Sequence, residues 1–112
     1  MAKRNDEFHL PLTVEAAAEL TLRVAMENRW KVIDAGTDHF LLREPFDLVS
    51  RMMYRPCKVA VFLRRESGRR TRVEMIAAVM GFGPLPQIRL RKILARLRGE
   101  IEDAAGVTKS EP

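Results

Sequence analysis

Only one cysteine, Cys57, stands in 112 residues, so no intrachain disulfide can form and a reducing cytoplasm suits the chain. No apolar run approaches the roughly 18 residues that a membrane-spanning helix requires. The opening MAKRNDEFHLPL holds two basic residues but no apolar stretch behind them, which excludes a secretory signal from the reading. Histidine is scarce: His9, His39 and Cys57 stand apart with no ligand spacing, so no metal site is expected. Glycine-rich phosphate loops are missing too, because Gly81-Phe82-Gly83 runs into Pro84 and not into a lysine-bearing helix start. Aromatic residues make up 6% of the chain and fall inside apolar runs, so there is no exposed platform on which bases could stack. Nothing in the sequence calls for a cofactor.

What is present is ordinary globular composition: 46% hydrophobic and 31% charged residues. A chain of this length forms one domain and can bury roughly 65% of its unfolded surface. The ordered part is expected over 7–106, with polar tails at 1–6 and 107–112. The net charge is +5, concentrated between Arg43 and Arg98, while Thr13 to Asn28 is acidic.

The strongest local signal is a pair of strand-like runs, KVAVFLR over Lys58–Arg64 and TRVEMIAAVM over Thr71–Met80, joined by the polar RESGRR. Two apolar, β-branched runs around a Ser-Gly turn specify a hairpin. Before it, EFHLPL (Glu7–Leu12) reads as a short strand that Pro11 confines to an edge or an end. Thr13 is a good N-cap for a helix over Val14–Asn28, whose apolar stripe is Val14, Ala17, Ala18, Leu22, Ala25 and Met26. WKVID (Trp30–Asp34) and HFLLR (His39–Arg43) form a first hairpin around AGTD. Glu44–Arg55 reads as a short helix, with a distorted strand as the competitor. A last helix is expected over Gln87–Ala105, buried through Ile88, Leu90, Ile93, Leu94, Leu97, Ile101 and Ala105, with Gly106 as its C-cap.

Strand, helix, hairpin, link, hairpin, helix imply an α+β domain. An antiparallel sheet of four to five strands carries two long helices packed on one face, in the order β-α-β-β-β-β-α. From roughly Phe8 to Ala105 this order resembles that of TATA-binding-protein-like and helix-grip domains. The resemblance is one of element order, so it implies a fold and transfers no functional residue.

Both runs of the main hairpin are apolar on both sides: Val59, Val61 and Leu63 oppose Ala60 and Phe62, and Val73, Met75, Ala77 and Val79 oppose Ile76, Ala78 and Met80. Two helices shelter one side only, and an apolar far side marks an interface or a groove. The expected role is therefore a non-enzymatic binding module. Its partner or ligand face is Phe46, Val49, Met52, Met53, Phe62, Ile76 and Met80, and its occupant is a second copy, another protein or a small hydrophobic molecule. The other reading is binding to nucleic acid or an anionic surface through the hairpin turn (Arg64, Arg65, Arg69, Arg70, Arg72) and the last helix (Arg89, Lys92, Arg96). Glu100, Glu102 and Asp103 follow closely and weaken that positive field. An enzyme comes third: Asp34, Asp38, His39, Glu44 and Asp47 would have to meet at one cleft.

Overall fold

The computed structural model describes residues 1–45, 56–81 and 83–106. Five antiparallel strands, β1 (Ala2–Leu10), β2 (Lys31–Ala35), β3 (His39–Arg43), β4 (Lys58–Ser67) and β5 (Arg70–Val79), form one sheet in the order β1-β5-β4-β3-β2. Two helices, α1 (Val14–Glu27) and α2 (Pro84–Ala104), lie on one face, α2 over β1 and β5 and α1 over β2, β4 and β5. The architecture is the α+β arrangement that the order of apolar runs implies. The link Phe46–Arg55, with its alternatives of helix and strand, lies outside the described residues, as do 107–112.

Side-chain alternation decides which sheet face is covered. Phe8, Leu10, Phe40, Leu42, Val59, Val61, Leu63, Val73, Met75 and Ala77 all point under the helices and are buried there. They meet Ala17, Leu20, Val24 and Ala25 of α1 and Leu90, Leu94, Leu97 and Ile101 of α2 in one continuous core. Cys57, next to β4, is sealed into the same core.

Several boundaries differ from the sequence reading. Met1–Asp6, read as a tail, is strand from Ala2 onward and pairs in register with β5 down to Ala2 opposite Val79. Its inward positions after Ala2, Arg4 and Asp6, are polar, so the apolar alternation is broken, but α2 supplies a partner for Asp6 and a bond to the β1 backbone. Arg98 bonds Asp6 at 3.1 Å and lies 5.1 Å over the Phe8 ring, and Gln87 Nε2 donates to the Lys3 carbonyl at 3.2 Å. The main hairpin is longer than the apolar runs: Ser67 pairs with Arg70 beyond a bulge, leaving only Gly68 and Arg69 as the turn. Helix α2 begins at Pro84, ahead of the expected Gln87, because proline in the first turn gives up an N–H that no helix could use. On α1, Met26 is 67% exposed, while Leu20, Thr21 and Val24 are buried in its place. Ile88 of α2 is 40% exposed and leaves the expected buried stripe.

Candidate functional site

A sizeable concavity lies at the end of the sheet where β5 hands over to α2. The chain turns there through Gly81 (φ 133°) and Gly83 (φ 97°), left-handed conformations that glycine adopts without a steric penalty. A Cβ on Gly81 would lie 3.3 Å from Pro86 Cγ, so the tight return also depends on the missing side chain. This turn swings the first turns of α2 away from Val79 and Met80 and leaves a groove of about 730 Å³ between them. Leu85, Pro86, Ile88 and Ile93 form its helix wall, Val79 and Met80 its strand wall, and Glu44, Arg89 and Lys92 its polar contribution. Leu85 is 77% exposed and Met80 57%, so this rim carries large apolar side chains with little of the chain packed on them.

Glu44 anchors the floor. Its backbone N–H donates to the Cys57 carbonyl at 2.9 Å, and its Oε1 accepts from the Cys57 N–H at 3.0 Å and from the Arg89 guanidinium. Both members of the ion pair are only 21% exposed. Behind them, burial pushes the Cys57 thiol up to about 11 from its ordinary 9.0, with the Glu44 carboxylate adding to the rise and Arg89 opposing it. Lys92 is exposed on the groove and has no ion pair among the described residues. The arrangement can hold an apolar body against the two walls with a polar or anionic end near Lys92. Among the described residues it offers no positioned acid–base couple, and Glu44 is already held by Arg89 and Cys57.

Of the residues expected on the partner or ligand face, Phe62, Ile76 and Met80 project from the far side of the sheet, and Met80 also lines the groove. Phe46, Val49, Met52 and Met53 lie outside the described residues. The far side is mixed, with Ala60, Ile76, Leu41 and the 39%-exposed Phe62 framed by charged side chains.

Half of the basic residues expected to meet phosphate are engaged by carboxylates. Arg72 pairs with Glu7 at 3.1 Å, Arg70 with Glu66 at 3.4 Å, Arg96 with Glu100 at 3.2 Å, and Arg89 with Glu44. Arg64 and Arg65 belong to β4, which leaves Arg69 alone in the turn. Asp38 and His39 bond at 3.1 Å on an exposed turn, and Glu44 points away from them to the helix side. Among the described residues no group of acidic, His and Cys side chains could hold a metal ion, and no helix is long and apolar enough to cross a membrane.

Leu85, Pro86 and Arg89 as a groove wall were missed in the sequence. The available signal was Leu85 and Ile88, an i,i+3 apolar pair preceding the buried stripe of α2 on a slightly different face.

No family model matches the chain, and no curated protein matches it in sequence. Solved structures do. The Aha1 dimer from Colwellia psychrerythraea matches with a TM-score of 0.68 at 10% identity, covering 98% of this chain and 100% of that one. A protein from Nitrosospira multiformis gives 0.64 at 10% identity, covering 96% and 97%. Ara h 8.0201 gives 0.55 at 9% identity, covering 94% and 95%. The chain has a helix-grip fold. At such identities the likeness is one of fold, and the helix-grip half of the expected resemblance is the half these structures share.

Proposed function

We propose that this chain is a non-enzymatic binding module, working in the cytoplasm, that holds a small hydrophobic molecule in the groove between the end of β5 and the first turns of α2. The carrying observation is the groove itself. Its volume of about 730 Å³ falls within the roughly 300–1,000 Å³ of small-molecule sites. Its walls are aliphatic, with few polar groups. Leu85 and Ile88 stay exposed on a helix whose Leu90, Leu94, Leu97 and Ile101 are buried, and covering such side chains is worth roughly 1.5–3 kcal/mol each. Lys92 supplies a cation for an acidic or hydrogen-bonding end of the ligand.

The nucleic-acid reading has less support, since four of its eight basic residues are already engaged by carboxylates. Titration with the environment-sensitive dye anilinonaphthalene sulfonate tests the groove. Saturable one-to-one binding is expected, and the pair Leu85→Asp with Ile88→Asp should weaken it by about tenfold or more. Fluorescence that never saturates, or that ignores these substitutions, contradicts the proposal.

A further inference from the structure

The end of the sheet where the groove opens joins exposed apolar side chains to cations without carboxylate partners. Lys3 pairs with Ala78, Ala78 with Lys58, Lys58 with Arg43, and Arg43 with Lys31, so one cross-strand row puts a cation on every strand but β5. By alternation the row projects on the side away from the helices, and it spans about 19 Å at strand spacing. Lys92 stands on the helix side of the same end, in the groove wall. Among the described residues none of these five is paired with a carboxylate, and the Arg43 Nε is buried without a hydrogen-bond partner. Like charges directly opposite one another in a sheet are destabilising, and an external anion relieves them.

Met80 follows Ala78 by two residues on the same side, so it stands roughly 7 Å beyond the row. Leu85 and Ile88 face it across the groove, and all three are exposed. The apolar tip thus has Lys3 and Lys58 behind it on the sheet side and Lys92 on the helix side. The rest of the far side differs. The next row, Asn5, Ile76, Ala60, Leu41 and Asp34, holds one carboxylate. Farther on, Glu7 is held by Arg72, and Glu66 by His9 and Arg70. Arg64 stands about 20 Å along β4 from Lys58, well beyond a Debye length. The exposed aromatic nearest Arg64 is Phe62, which lies on the flat of the sheet opposite Glu74.

We propose that this end of the domain docks on the surface of a bilayer rich in acidic phospholipids. The strands stand upright on the bilayer. Met80 and Leu85 enter the headgroup boundary, and Lys3, Lys58, Arg43, Lys31 and Lys92 meet the lipid phosphates and carboxylates. A cross-strand row runs across the strands and so lies parallel to such a surface. The step of roughly 7 Å from the row to Met80 matches the roughly 5–10 Å to which interfacial apolar groups are buried. Each cation brought to an acidic bilayer strengthens partitioning about fivefold. A nucleic acid would satisfy the cations but leave Met80, Leu85 and Ile88 in water, so it fits less well. Docking does not depend on an occupant of the groove.

Cosedimentation of the whole chain with lipid vesicles tests this. Vesicles of equal parts phosphatidylcholine and phosphatidylserine should carry the chain down, pure phosphatidylcholine vesicles should not, and high salt should release it. K3E/K58E should lower partitioning about tenfold or more, while its dye titration stays saturable, which shows that fold and groove are intact. An environment-sensitive fluorophore attached through Met80→Cys should shift to the blue on the acidic vesicles, and one attached through Arg69→Cys at the opposite end should not. No binding to the acidic vesicles, equal binding to the neutral ones, undiminished binding by K3E/K58E, or a Met80→Cys label that stays in water overturns the proposal. So does retention on DNA or RNA tighter than on the acidic vesicles, which assigns the row to a nucleic acid. Vesicle docking that persists where saturable dye binding fails upholds the proposal and strikes the groove reading alone.

Discussion

Cys57, Glu44 and Arg89 show how single residues set the groove floor. The Cys57 thiol is fully buried, and its proton is held to about 11. An unfolded thiol ionises near 9.0, so above that pH the unfolded chain loses a proton that the folded chain keeps. Stability contributed here is complete below pH 9 and falls as pH rises toward about 11. Denaturant melts across that range should show the decline, and Cys57→Ser should flatten it. A thiol reagent should modify Cys57 only as fast as the chain opens. Glu44 accepts from two donors in a half-buried position, so Glu44→Ala should cost about 1–3 kcal/mol in urea denaturation. Sequence alone brings none of this together. Glu44 and Arg89 lie far apart along the chain, and nothing local marks them as partners.

At the scale of elements, the legible parts were those where burial follows a period. Strand β3 runs over His39–Arg43 as the sequence indicates, and α1 ends one residue earlier than expected. Thr13 caps α1 by accepting from the Ala16 N–H at 3.2 Å. Thr13→Ala should lower stability by about 1 kcal/mol, measured by the same denaturation. The illegible parts were those where pairing continues without apolar alternation. Arg65–Ser67 extends β4 as an exposed charged ribbon, and Asp6 belongs to β1 where α2, distant in sequence, provides Arg98. The last helix was expected from Gln87, whereas Pro84 opens it.

For the molecule as a whole, the two-faced hairpin did foretell that the helices would cover only one side of the sheet. It did not foretell the character of the other side, which is set by cross-strand register: Lys3, Lys58, Arg43 and Lys31 form a row only once all five strands are aligned. Nor did it locate the groove, whose walls come from the end of β5 and the start of α2, joined through two left-handed glycines. The most direct measurement is methyl-resolved NMR of the whole chain titrated with a small apolar carboxylic acid. Saturable shifts confined to Val79, Met80, Leu85, Ile88 and Ile93 are expected. Shifts centred on Leu41 and Ile76 instead, or none at about millimolar ligand, would contradict a binding groove at the β5–α2 junction.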